Sequence, residues 1–441
     1  MSIQPTRRQV LQATVVSTAA AALPARVGSC EEAPPRSDKL NIGVIGVGNR
    51  GASNLAAIKA ENVAALCDVD SRYLHTMSAR YPDAKTYEDF RDLIDQPGLD
   101  AVLISTPDHT HFHAAMQAIR RGLHVYCEKP LAHSIWEVRE MAKAARESRV
   151  VTQTGNQHHG SEGYCRTVEI IRSGALRPIR EVHAWTTRPI WPQGLARPDQ
   201  EDDSPKELNW DLWLGPAPKR PYDAIYHPRG WRGWFDFGCG ALGDMGPHLL
   251  DPVIWALDLS APTRIESEVS GQHEETFPKS SIVRFEFPER GNDPPVLVVW
   301  YDGDKQPPES VTGIKRLPAN GVFFLGERAK LFTPDYGGRP VVLPNKKGDE
   351  IELPEQSIPR TASHHQEWIE ACKGAGQTRS DFSYGARLTE ICLLGNLSVR
   401  TGKAFEWDGD KPLGDHAAVI ASLMKRDYRA AWLLRAQPAT K

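Results

Sequence analysis

Hydrophobic positions in the first third of the chain come in short unbroken runs rather than in alternation. Leu40-Asn41-Ile42-Gly43-Val44-Ile45, Val63-Ala64-Ala65-Leu66-Cys67, Ala101-Val102-Leu103-Ile104 and Leu123-His124-Val125-Tyr126-Cys127 are dominated by Val, Ile, Leu and Ala. Such runs predict strands buried on both faces, as in a parallel sheet covered by helices. The stretches between them predict helices over Ala52 to Ala60, around Leu74 to Arg80, and over Phe112 to Arg121, and a further short strand is expected over Arg149 to Gln153. Repeated strand-helix units imply an α/β, doubly wound sheet whose ligand lies off the carboxyl ends of the strands.

The first of those ends carries glycines. Gly46-Val47-Gly48-Asn49-Arg50-Gly51 fits G-x-G-x-x-G between a strand and a helix. The first glycine permits the turn, the second lets a phosphate approach the backbone, and the third lets helix and strand pack closely. Asp68 ends the second strand, 22 positions after Gly46, where a carboxylate can bind ribose hydroxyls and repel a 2'-phosphate. NAD is therefore favoured over NADP, although Arg72 nearby could accommodate the extra phosphate. Two further strand ends carry Thr106-Pro107-Asp108-His109-Thr110-His111 and Glu128-Lys129-Pro130.

Composition narrows the partners. The chain has 441 residues, with 53 Lys+Arg against 56 Asp+Glu and a net charge of -3. That length suggests about two or three domains, and the near balance gives no basic field for a nucleic acid. No apolar run is long enough to span a membrane. The seven cysteines show no zinc spacing, and the alternating histidines 109, 111 and 113 form no closed ligand set, so no metal is expected. Thr6-Arg7-Arg8-Gln9-Val10-Leu11 followed by an uncharged Ala-rich stretch reads as a twin-arginine export signal over residues 1–30. That implies a periplasmic protein, with a lipid anchor at Cys30 as a variant, and a tightly bound cofactor acquired before export.

Together, Gly46 to Gly51, Asp68, Thr106 to His111 and Glu128-Lys129-Pro130 resemble the glucose-fructose oxidoreductase/inositol dehydrogenase (Gfo/Idh/MocA) family over about residues 38 to 410. The resemblance implies a Rossmann domain over 38–155 and an α+β domain over 156–410 built on a large, mainly antiparallel open sheet; beyond it the chain over 411–441 itself reads as a helical tail. It also implies substrate between the two domains, with Lys129 between nicotinamide and the substrate hydroxyl. Asp244 and His248, in Gly243-Asp244-Met245-Gly246-Pro247-His248, are similar to that family's D-x-x-x-H helix. Their spacing puts both on one helix face. Asp244 is expected as the helix N-cap, Pro247 in the first turn, and a kink is expected at Pro252. Cofactor contacts are expected from Gly46, Gly48, Asn49, Arg50, Gly51, Asp68, Thr106, Pro107, Asp108, His111, Glu128, Lys129 and Gln157. A homo-oligomer that buries the open sheet face is the expected assembly.

Six of the twelve tryptophans fall between positions 185 and 234, among Pro, Gly and Arg. These segments predict long loops. Aromatic faces flanked by Arg, His and Asp suit a carbohydrate, while stapling of a long insertion is the plainer role. Tyr164, Trp191, His227, Trp231, Arg232 and Trp234 are the expected substrate contacts. The resulting expectation is an oxidoreductase acting on a hydroxyl of a sugar or glycoside. A glycosidase that uses NAD transiently and a non-catalytic sugar-binding protein are the alternatives.

Overall fold

A computed structural model describes residues 38–199, 202–346 and 350–433. The export signal and the Cys30 anchor lie outside the described residues. Six parallel strands form the first sheet: β1 (Asn41–Ile45), β2 (Asn62–Cys67), β3 (Lys85–Tyr87), β4 (Ala101–Ile104), β5 (His124–Glu128) and β6 (Thr152–Gly155), in the order β3-β2-β1-β4-β5-β6. The order reverses at β1, which opens a crevice at its carboxyl end. Helices α1 (Arg50–Ala57), α2 (Ser71–Ser78), α3 (Phe90–Ile94), α4 (His111–Arg120) and α5 (Ile135–Glu147) connect the strands. The α1 helix begins two residues earlier than the expected Ala52 and stops at Ala57, where Ile58 closes it onto the Asn54 carbonyl. The expected strand at Arg149 lies instead at Thr152–Gly155, because pairing with β5 begins at Val125 opposite Thr152.

After α6 (Glu162–Arg172) the chain builds a second, nine-stranded sheet. Its strands are β7 (Ile179–Thr186), β8 (Arg264–Ser270), β9 (Ser280–Phe287), β10 (Val296–Tyr301), β11 (Asn320–Gly326), β12 (Ala329–Pro334), β13 (Val341–Pro344), β14 (Phe405–Trp407) and β15 (Pro412–Leu413). The order is β13-β12-β11-β7-β10-β9-β8-β14-β15, and every pairing is antiparallel except β7 with β10. Between β7 and β8 lie α7 (Trp210–Leu214), α8 (Gly240–Leu249) and α9 (Asp251–Leu257). The long helix Phe382–Thr401 packs against both α5 and α8 and so ties the two sheets together.

The tryptophan-rich stretch is mostly loop, but Trp185 lies on β7, and Trp210 and Trp213 lie on α7. The tail is not one helix: it contains Ala417–Ser422 and a single 3-10 turn at Ala430–Trp432. Trp432 packs on Phe90 and His113 of the first sheet's helices. Among the described residues six cysteines are free, and all but Cys372 are buried. No helix among the described residues is long and apolar enough to cross a membrane.

Candidate active site

A cleft of about 540 Å³ runs from the glycine turn at the end of β1 to helix α8, a size typical of small-molecule sites. At its first end the three glycines are sterically required. A Cβ at Gly46 would lie 2.8 Å from the Ser105 carbonyl oxygen, one at Gly48 would lie 2.8 Å from the Tyr73 ring, and one at Gly51 would lie 1.9 Å from the Gly46 carbonyl oxygen. Gly51 thus packs helix on strand and does not line the cleft. The α1 helix receives no side-chain cap from Asn49, which sits at φ 44, and carries no acid in its first turn. The Gly51 N–H donates to the Gly48 carbonyl, and with no side-chain cap or acid at the helix start the turn fits a dinucleotide pyrophosphate.

Asp68 lines the cleft beside this turn and steadies it. Its Oδ2 accepts from the N–H groups of Val47 (2.9 Å) and Gly48 (3.3 Å), and its Oδ1 accepts from that of Asp70 (3.0 Å). Burial outweighs these bonds and raises its pKa to about 6. Arg72 is turned away from the cleft, with Nε and Nη2 donating to Asp70 at 2.9 and 2.6 Å. Asn49, Arg50, Thr106, Pro107, Asp108, Glu128 and Gln157 also line the cleft. Oε1 of Glu128 gathers Arg50, Asn54 and Gln157 within 3.0 Å, and Asp108 accepts from the Cys239 N–H at 3.1 Å.

The second end holds the strongest charges. Lys129 Nζ donates to the Asp244 carbonyl oxygen (2.7 Å) and to its Oδ1 (2.9 Å). Arg232 Nε approaches the same Oδ1 at 3.6 Å, while its guanidinium lies over Trp231 at 4.3 Å. Burial alone would raise the Asp244 pKa, but Lys129 and Arg232 hold it down at about 2. His248, one turn further on, lines the cleft. Its Nδ1 is sealed from the cleft without a partner, leaving Nε2 as the nitrogen that can meet a ligand. Burial, then the Lys129 and His158 charges, hold His248 far below the usual histidine range, so it is neutral.

Several expectations need correction. The α8 helix starts at Gly240 with Cys239 at its N-cap, so Asp244 lies inside the helix, as does Pro247; Gly240-Ala241-Leu242 are themselves helical and precede it. The expected break is present, with α9 starting at Asp251 and Pro252 in its first turn. His111 does not reach the cleft, because its Nδ1 lies 2.9 Å from the Pro130 carbonyl oxygen and its Nε2 lies 2.8 Å from that of Thr106. It buckles two strand ends together. Tyr164 is fully buried, and its hydroxyl donates to the His248 carbonyl oxygen at 2.8 Å. Trp234 is also fully buried, packed against Tyr226. Trp191, Trp231 and Arg232 line the substrate end. His227 lines the cleft too, but bonds Asp70 at 3.1 Å and so sits near the Asp68 end. Tyr336, Arg188 and Trp213 line the cleft without having been anticipated. Asp335-Tyr336-Gly337-Gly338 reads as a turn, and only the fold brings it to α8.

Two family models match the chain: the oxidoreductase family's NAD-binding Rossmann fold over residues 40–156, and its C-terminal alpha/beta domain over 182–306. Myo-inositol 2-dehydrogenase of Thermotoga maritima is 30% identical over 140 residues, 31% of this chain and 42% of that protein. Inositol 2-dehydrogenase of Gluconacetobacter diazotrophicus is 26% identical over 237 residues, 52% of this chain and 67% of that protein. The chain thus aligns with 42% and 67% of the lengths of these two relatives. The WlbA dehydrogenase of Bordetella pertussis, solved with NADH and UDP-GlcNAcA, superposes with a TM-score of 0.61 at 16% identity, over 86% of this chain and 99% of that one. That likeness is one of fold. The two matched domains place this chain in the Gfo/Idh/MocA oxidoreductase family, with an NAD-binding Rossmann domain over residues 40–156.

Proposed function

We propose that the protein oxidises a hydroxyl of a sugar or glycoside, using NAD held along the glycine turn. The observation that carries this reading is the convergence of Lys129, Asp244 and His248 on the cleft that begins at that turn. NAD supplies the hydride acceptor. Lys129 donates to the substrate oxygen and stabilises the charge that develops on it. Neutral His248 accepts the hydroxyl proton at Nε2, and Asp244 offsets the imidazolium that results. A histidine held neutral this way leaves no acid limb near 6.5. The expected pH profile of kcat/KM is therefore flat between pH 7 and 8, above the Asp68 titration near 6, and a limb in that window would count against His248 as the base.

A second feature supports a resident cofactor. Residues 207–237 are seamed to the carboxyl ends of the first sheet: the Ser71 N–H donates to the Glu207 carbonyl, and the Asn209 N–H donates to the Val69 carbonyl. His109 spans the carbonyls of Trp213 and Phe237. Leu212, Trp213, His227, Pro228 and Arg229 of this segment line the same cleft as Gly46 and Gly48 and so form a roof to the groove. NAD under such a roof is reoxidised in place by a second carbonyl substrate, as the proposed export would require. Purified protein, once denatured, is expected to release about one NAD per chain, and a glycoside panel is expected to yield a keto-sugar. Cofactor-free protein with fast exchange of added NAD would overturn the resident cofactor. Free aglycone with deuterium incorporated from solvent would favour glycoside cleavage instead.

A further inference from the structure

One residue beside the catalytic turn is held against its backbone preference. Tyr336 sits at φ 51, ψ 33, in the left-handed region that a non-glycine residue adopts only at a cost. Its loop is pinned on both sides. Asp335 accepts from Asn320 Nδ2 at 2.7 Å, and the carbonyls of Gly337 and Gly338 press on α6 so closely that a Cβ at Gly163 would come within 2.1 Å of both.

The pinning presents the ring to the cleft, where it stays 43% exposed. The ring stands edge-on to His158 and His248, with centroids at 5.1 and 5.8 Å. Its hydroxyl meets only the Met245 sulfur, at 3.8 Å. A large, half-exposed ring on a strained backbone gains the fold little. Arg232 lies over Trp231 and reaches Asp244. Tyr336 and Trp231 thus both line the cleft that holds Lys129, Asp244 and His248.

We propose that Tyr336 is a specificity-determining platform, on which the C–H face of a pyranose ring packs so that the reacting carbon stays at His248. This rests on the sugar-oxidoreductase reading above. It implies a preference for cyclic sugars over open-chain polyols, because only a closed ring offers a continuous apolar face.

The test compares Tyr336→Gly, Tyr336→Asn and Tyr336→Phe in the NAD-loaded full chain, by steady-state kinetics, by sugar-induced shifts in melting temperature, and by melting without sugar. Glycine and asparagine both tolerate the left-handed backbone. Both variants are expected to melt no lower than wild type and to raise KM about tenfold, about 1.4 kcal/mol, with a smaller change in kcat and a reduced preference for cyclic sugars. Tyr336→Phe should stay within about threefold of wild type, since the ring and not the hydroxyl does the packing. Unchanged KM in Tyr336→Gly, or a rise in that variant but not in Tyr336→Asn, would overturn the proposal, the second outcome marking a loosened loop. A wild-type protein that neither binds nor oxidises any sugar would instead overturn the underlying functional reading, and this inference with it.

Discussion

Replacing Lys129 with methionine is expected to lower kcat by about three orders of magnitude while leaving NAD bound. Oriented donors at a developing oxyanion contribute about 10²–10³ in rate, and positioned proton transfer adds a comparable factor. In the proposed mechanism Lys129 would serve both, because its ammonium would meet the substrate oxygen and, after burial, contributes most to keeping His248 neutral. Arginine should not rescue it, since a planar fork does not reproduce a compact ammonium. The variant also exposes a linkage. The Asp244 pKa lies near 2 in the folded protein against an ordinary value of 3.8, so its ionised form stabilises the fold above pH 4, and that contribution fades as pH falls toward 2. By area of shift it amounts to about 2 kcal/mol, most of which depends on Lys129. Lys129→Met should therefore be less stable than wild type at pH 7, with the gap narrowing below about pH 4. Single-turnover nicotinamide reduction and denaturant melts across pH measure both effects, and a variant retaining a tenth of wild-type kcat would show that the lysine is not in the reaction.

The largest stability loss is expected three residues beyond His248. Asp251 is 1% exposed, and its carboxylate accepts from Asn156 Nδ2 (3.0 Å), His159 Nδ1 (2.8 Å) and the Tyr384 hydroxyl (2.5 Å). Alanine there leaves the buried Asn156 and His159 donors without that acceptor, while Tyr384 keeps the Asp251 carbonyl oxygen at 3.1 Å, at a cost of about 3–5 kcal/mol. The loss is also functional, because the Asp251 network and the Tyr164 bond to the His248 carbonyl together fix the break between α8 and α9. Asp251→Ala should lose about tenfold in kcat even when assayed well below its melting temperature. Asp251→Asn, which keeps one acceptor, should fall between it and wild type. An alanine variant that melts with wild type would mean the network is not holding the break.

Local signals carried the first half of the fold. Continuous apolar runs, a glycine turn and an acid at the next strand end are contiguous in the chain, so β1, β2, β4 and β5 and the Asp68 position could be read directly. The second sheet could be expected only as a type. Its order joins β7 to β10 and β11, strands more than a hundred residues away, and such register depends on non-local pairing. The same limit applied to individual side chains. Trp231 and Trp234 lie three residues apart and share one buried aromatic cluster, yet only Trp231 also lines the cleft. His111 reads as a cofactor contact in sequence, but its ring lies between the Thr106 and Pro130 carbonyls, and His109 lies between those of Trp213 and Phe237. Tyr336 carried no signal beyond its turn, because its importance lies in a dihedral angle.

The seam between residues 69–71 and 207–209 links turnover of the cofactor to breathing of the fold. If NAD can leave only when that roof lifts, nucleotide exchange cannot be faster than local opening, and the amides of Ser71 and Asn209 report the opening rate directly. Bound NAD would in turn protect those amides and raise the melting temperature by mass action. A protein stripped of nucleotide would then lose a structural brace as well as a reagent.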